Sequence, residues 1–184
     1  MRHLFRMRAP LKALTLALAA LGVSCADPAA EHVMGFGDPV RGAALNAPRM
    51  LGDTSRLAGR PAAAARAAVQ LEVLTTAFHE DPRYVHEATG PVQHSTRLGQ
   101  AELRRAIGIA PEAPSASVIA TLREAAEALD QGRPARAEAA LSGPDYPSGG
   151  ATTLARLGTL PYLPRVAEAA GAVVAEIRRI DRQR

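Results

Sequence analysis

The sequence is poor in the side chains on which several kinds of chemistry depend. Cys25 is its only cysteine and Lys12 its only lysine, so both types are missing from the rest of the chain. This excludes internal disulfides, Schiff-base lysines, a phosphate-loop lysine and the Ser-x-x-Lys motif of acylating enzymes. A domain of this composition must be held together by packing alone.

Aromatic residues are also scarce, with three Phe, three Tyr and no Trp in 184 residues. Proteins that bind single-stranded nucleic acids usually stack the bases on aromatic side chains, and sugar-binding surfaces use aromatic rings in the same way. We therefore expect neither class of ligand.

The formal charge of +4 and the pI near 10.0 do not indicate a nucleic-acid partner. Four basic residues lie within residues 1–24, which contain no acid, and the basic residues that remain balance the 18 acidic ones. Without a basic excess, the electrostatic attraction that dominates binding to a phosphate backbone is missing.

The first 25 residues have the pattern of a bacterial signal peptide. Three arginines and Lys12 precede an apolar run from Ala13 to Val23 that only Thr15 interrupts. A basic segment followed by about 7–15 apolar residues and then by small residues is typical of a secretory signal. A membrane-spanning helix would need about 20 apolar residues, so this run is too short to be an anchor.

Two cleavage sites are compatible with this signal. Small residues before Asp27 would direct cleavage there and release a soluble protein. The run Leu21-Gly22-Val23-Ser24-Cys25 instead resembles the lipobox of bacterial lipoproteins, which implies lipidation of Cys25 as the first residue of the mature chain. We favour the lipoprotein, because a lone cysteine at the end of the apolar run is otherwise hard to explain.

The remaining chain is predicted to be all-α, a small bundle of about five helices with a loop-rich N-terminal arm. We divide it into the signal peptide at 1–25, the arm at 26–60 and the helical domain at 61–184. Glycine and proline punctuate the arm, although Asp38-Pro39 predicts a short helix through Leu45. No segment alternates between apolar and polar residues, so we expect no sheet.

Helical periodicity predicts long helices over 61–80, 115–131 and about 164–182, with shorter ones over 95–107, 134–141 and 151–158. Gly90-Pro91 predicts a chain break, and Ser115 predicts a helix cap. The apolar stripe of the 115–131 helix comprises Val118, Leu122, Ala125 and Leu129. In the last helix, Ala167, Gly171 and Ala175 recur every four residues and predict a close approach by a neighbouring helix.

The segment from Ala128 through Gly132 to Leu141 resembles a tetratricopeptide helical hairpin. Such repeats have a period of about 34 residues and need at least three copies for stability. The sequence contains one copy, so we predict a single antiparallel hairpin rather than a solenoid.

The histidines are the candidate metal ligands, because His79, His86 and His94 lie within 16 residues and acids follow the first two directly. Imidazole and carboxylate groups suit zinc and copper. However, Pro82 breaks the helix between the first two, and a metal site needs ligands that are fixed by a supporting shell. We predict no metal site, no cofactor and no catalytic residue, although a Ser-His-Asp group assembled from distant segments stays open.

Five arginines and a single acid, Asp53, lie between residues 41 and 66. If Cys25 is lipidated, each of these arginines could gain about 1 kcal/mol near anionic lipid. The alternative is that they form salt bridges to the helices beneath them. The five are Arg41, Arg49, Arg56, Arg60 and Arg66.

As a whole, the sequence resembles the small uncharacterised lipoproteins of bacterial envelopes, which implies an exported, periplasmic protein anchored to the membrane through Cys25. We expect a non-enzymatic protein that acts through an envelope protein partner or the membrane face. The alternative is a module that binds a small or apolar ligand between its helices. An exposed apolar groove would favour the first function, and a substantial internal cavity would favour the second.

Overall fold

The computed structural model describes residues 38–183, which fold into helices joined by turns and loops, without a strand. The predicted all-α class is therefore confirmed. The signal peptide, Cys25 and the first part of the arm lie outside the described residues. The helices are α1 (Pro39–Leu51), α2 (Pro61–Glu80), α3 (Gly90–Ile107), α4 (Ser115–Asp130), α5 (Pro134–Ala140), α6 (Gly150–Leu157) and α7 (Pro164–Gln183), with a 3₁₀ turn at Thr54–Leu57.

Helix α2 lies at the centre and contacts α1, α3, α4 and α6. Its stripe of Ala67, Leu71, Leu74 and Phe78 is buried, and so are residues on its flanks such as Val69. An apolar surface this broad is typical of a helix that neighbours cover on several sides.

Helices α3 and α7 run antiparallel, and each supplies a cap for the other. The Glu102 carboxylate on α3 accepts hydrogen bonds from the backbone N–H groups of Arg165 at 2.7 Å and Val166 at 3.1 Å. In return, Glu176 on α7 accepts the backbone N–H of Thr89, just before α3, at 2.7 Å. The first N–H groups of a helix have no partner within it, and negative charge is favoured at that end. Each carboxylate therefore stabilises the start of the opposite helix.

Gly99 allows α3 and α7 to approach closely. A Cβ atom at this position would lie 2.9 Å from the Cβ of Ala169 and 3.0 Å from the carbonyl oxygen of Arg165. The stripe predicted from Ala167 to Ala175 does not make this contact, because Gly171 is exposed and has no neighbour within 4 Å of a Cβ placed there. The predicted close approach along Ala167, Gly171 and Ala175 is therefore wrong, because these three residues lie about 100° around α7 from its buried stripe.

Two predicted helix starts also differ from the structure. Helix α3 begins at Gly90 rather than at Ser95, so Gly90-Pro91 opens a helix instead of breaking the chain. Proline is well suited to the first turn, where its missing N–H would have had no partner. Ser115 is the first residue of α4 and does not cap it, because its hydroxyl oxygen accepts hydrogen bonds from α3 side chains.

Helix α1 is longer than predicted. Asp38 caps it as expected, and its carboxylate accepts the backbone N–H of Val40 at 2.9 Å. The helix continues beyond Leu45, because Ala47 and Leu51 extend its buried face against α2 and α7. The described part of the 26–60 segment thus contains a helix of 13 residues.

Helices α4 and α5 form the predicted hairpin. Gly132 turns the chain with a φ of +67°, and the N–H of Arg133 donates to the carbonyl oxygen of Ala128 at 2.8 Å. This pattern is a Schellman motif, which requires a left-handed residue at the turn. In the predicted stripe of α4, the first three residues are buried and the last is partly buried: Val118, Leu122, Ala125 and Leu129.

Candidate functional site

A groove, here called the α2 groove, runs along α2 between α1 and α4. Two clefts of about 400 and 360 Å³ form it, and they meet at Val73. Helix α2 supplies the floor, α1 one wall and α4 the other. The apolar residues that line the groove are Val40, Ala43, Met50, Val69, Val73, Ala77 and Ile119.

Helical geometry explains why this surface is continuous. On α2, Val69, Val73 and Ala77 recur every four residues, and on α4 Ile119 stands four residues before Arg123. Residues with this spacing share one face of a helix, so each helix contributes one stripe to the groove. A side-chain hydrogen bond from Gln70 to the backbone of α1 holds the first wall against the floor.

The two ends of the groove carry charges of opposite sign. Arg49, Arg66 and Arg123 line the end near the start of α2. Glu80 and Asp81 line the end where α2 finishes. Arg66 and Glu80 are 14 residues apart on α2, which corresponds to about 21 Å at 1.5 Å per residue. The groove could therefore hold three to four turns of a helix.

Only some of these charges are neutralised. Arg66 forms an ion pair with Asp130 on α4. Arg83 contacts the Asp81 carboxylate at 2.9 Å, and this hydrogen bond lowers the pKa of Asp81. Within residues 38–183, no side chain forms an ion pair with Arg49, Arg123 or Glu80. One free cationic end and one free anionic end are therefore available to a partner.

A buried polar cluster joins α2, α3 and the loop before α4. Glu72 accepts hydrogen bonds from Nε and Nη2 of Arg104, both at 2.7 Å. Nη1 of Arg104 donates to the carbonyl oxygens of Pro111 and Ala113 at 2.9 and 2.8 Å, and Nη2 also donates to the Ser115 hydroxyl at 3.0 Å. A guanidinium group has five N–H donors, and all five are used inside the protein. The cluster therefore holds helices together and has no donor left for a ligand.

Comparison with known proteins adds no family assignment. No protein-family model, curated protein or solved structure matches the chain. In the part that the structure describes, no helix is both long enough and apolar enough to cross a membrane.

The structure does not bring the candidate metal ligands together. His79 is partly buried, and its Nε2 donates to the carbonyl oxygen of Gln93 at 3.0 Å, while His86 and His94 are exposed. Burial lowers the pKa of His79, so its imidazole is neutral at neutral pH. Among residues 38–183, no group of three or more His, Cys, Asp or Glu side chains is placed to hold a metal ion.

The basic stretch between residues 41 and 66 is partly neutralised by acids. Arg41 contacts both carboxylate oxygens of Asp181 on α7, the closer at 2.8 Å. Arg56 pairs with Asp53 at 3.2 Å, and Arg66 pairs with α4 as described above. Exposed ion pairs of this kind contribute about 0–1 kcal/mol each to stability. Three of the five arginines thus fit the alternative of salt bridges within the domain.

Proposed function

We propose that this protein is a non-enzymatic envelope protein that binds an amphipathic helix of a partner protein in the α2 groove. The observation that carries this proposal is a groove with a largely apolar lining, whose charged ends at Arg66 and Glu80 lie about 21 Å apart along α2. Open apolar clefts with a polar rim commonly mark interaction sites. Helix-in-groove recognition uses apolar anchors spaced by three or four residues, and that spacing is present on the floor of the groove.

The charges at the ends define the chemistry of the partner. Its helix should carry an acidic side chain at the end that meets Arg49 and Arg123, and a basic one at the end that meets Glu80. Charges at the rim of an interface govern orientation and association rate more than affinity. The apolar centre supplies the affinity, so we expect Val73 to be the central contact.

Two synthetic 14-residue amphipathic peptides test this proposal. One carries Glu at one end and Lys at the other, and the second has the same apolar face but Lys at both ends. We expect the first peptide to bind at least tenfold more tightly in fluorescence anisotropy, because the second places a Lys beside Arg49 and Arg123 and like charges in contact are strongly disfavoured. Val73→Arg should abolish its binding, because the variant places a bulky charge where the two clefts meet.

Ala155→Arg is the matched control, because it adds the same charge at an exposed position on α6. This variant should bind the first peptide as the unmodified protein does, and circular dichroism should show that both variants are folded. Equal affinity for the two peptides, or unchanged binding by Val73→Arg, would reject the α2 groove as the partner site.

We also propose that the protein is exported and anchored by a lipid on Cys25. Bacterial cells supplied with labelled palmitate test this location. The unmodified chain should incorporate the label, because a lipobox cysteine is the acceptor of the acyl groups. Cys25→Ser should remove the label, while the neighbouring variant Ser24→Ala should keep it. An unlabelled mature protein that begins at Asp27 would show the soluble secreted form instead.

A further inference from the structure

A second cleft, here called the α3-end cleft, has a volume of about 330 Å³ and lies where α3 finishes. At roughly 30 Å³ per water-sized group, this volume admits a molecule of on the order of ten heavy atoms. Its walls come from α3, from the turn after α3 and from the loop before α6. The residues that matter for its chemistry are Gln100, Arg105, Gly108, Ile109, Pro111 and Pro147.

Two arginines lie at this end of α3, because Arg105 lines the cleft and Arg156 lies beside Gly108, which also lines it. Arg105 lies on the last turn of α3 and Gly108 directly follows the helix, and both line the cleft. The Arg156 guanidinium lies directly over Gly108, in the space that a Cβ atom would occupy there. Gly108 has a φ of +85°, so this backbone conformation and the close guanidinium both favour glycine.

Neither of these cations is neutralised by an acid in the described part of the chain. No Asp or Glu lines the cleft, and no ion pair includes Arg105 or Arg156. The carbonyl end of α3 attracts positive charge, which explains why the two groups gather there. Unlike Arg104, neither has a side-chain hydrogen bond within residues 38–183, so each positive charge near the cleft would attract an anion.

The rest of the cleft is suited to an apolar body. Ile109, Pro111 and Pro147 form apolar walls. Gln100 donates both amide hydrogens to the buried cluster, to Glu72 at 2.6 Å and to Ser115 at 3.3 Å. It therefore offers the cleft only its carbonyl oxygen, and the positive charge is confined to the arginine edge.

We propose that the α3-end cleft binds a monocarboxylate with an apolar tail, about the size of a medium-chain fatty acid. The carboxylate lies between Arg105 and Arg156, whose planar guanidinium groups can each form paired hydrogen bonds with it. The hydrocarbon part packs against Ile109 and Pro111. This site is separate from the α2 groove and does not depend on the partner-binding function.

Octanoate, which has ten heavy atoms, is the test ligand, and calorimetric and NMR titrations measure its binding. We expect saturable binding with shifts of the Ile109 and Ala110 amides. Octanol should bind at least tenfold more weakly, because it keeps the chain and lacks the charge. Arg105→Ala and Arg156→Ala should each weaken octanoate binding at least tenfold, and Arg105→Lys should restore part of the loss.

Pro147→Glu is an independent test, because it adds an acid to an exposed wall and should abolish octanoate binding. Arg133→Ala, at the turn between α4 and α5, is the matched control and should bind octanoate normally. Thermal melts of each variant separate loss of binding from loss of fold.

Equal binding of octanol, or competition by inorganic phosphate at equal concentration, would overturn the proposal. Octanoate binding that survives Pro147→Glu and disappears in Val73→Arg would also overturn it, since the ligand would then occupy the α2 groove.

Discussion

Replacing Leu122 by Asp should unfold the domain. Leu122 is fully buried on the face of α4 that packs against α2. The substitution removes about 1.5–3 kcal/mol of apolar burial and adds a buried charge without a partner, which costs several kcal/mol more. A domain has about 5–15 kcal/mol of stability in total. Urea titrations followed by circular dichroism should show that most of this stability is lost.

The neighbouring substitution Arg123→Asp is the control for this experiment. Arg123 is exposed beside the α2 groove, about 100° around α4 from Leu122, and forms no ion pair within residues 38–183. We expect its stability to change by no more than about 0.5 kcal/mol, as is usual for surface positions. Similar losses in the two variants would mean that the buried face of α4 has been assigned incorrectly.

Arg104→Ala should cost about 3–5 kcal/mol of folding stability, because it leaves the Glu72 carboxylate buried without its partner. The two side chains are only 8 % and 3 % exposed, so water cannot replace the lost hydrogen bonds. Chemical denaturation of the purified domain measures the loss.

The exposed ion pair between Arg136 and Glu124, at 3.2 Å, provides the comparison. Arg136→Ala should cost no more than about 1 kcal/mol, since water solvates the remaining charge. The double variant Glu72→Leu/Arg104→Met should be more stable than Arg104→Ala, because it removes both charges together. If Arg104→Ala cost no more than Arg136→Ala, the buried cluster would not hold the helices together as described.

The helical fold could be predicted from the sequence because its long helices carry strong apolar periodicity. The buried cluster could not. Glu72 lies between Leu71 and Val73, and a lone acid in an apolar helix is a signal of a buried partner. That partner, Arg104, is 32 residues away. Its identity depends on how α3 docks against α2, and spacing within either helix carries no information about that docking.

The α2 groove was beyond sequence analysis for a related reason. Val73 is an apolar residue of α2, yet it is only partly buried and lies at the centre of the groove. Whether a flank of α2 is covered depends on the separation of α1 and α4. The second half of α1 was itself missed, because Ala47 is a weak apolar signal compared with leucine or valine.

The carboxylates that cap α3 and α7 have a consequence for local unfolding. The two helix starts lie at opposite ends of an antiparallel pair, and each is completed by a side chain from the body of the other helix. If α7 separates from α3, both starts lose their caps in the same event, and Gly99 loses its packing as well. The pair should therefore open as one cooperative unit rather than fray independently from either end.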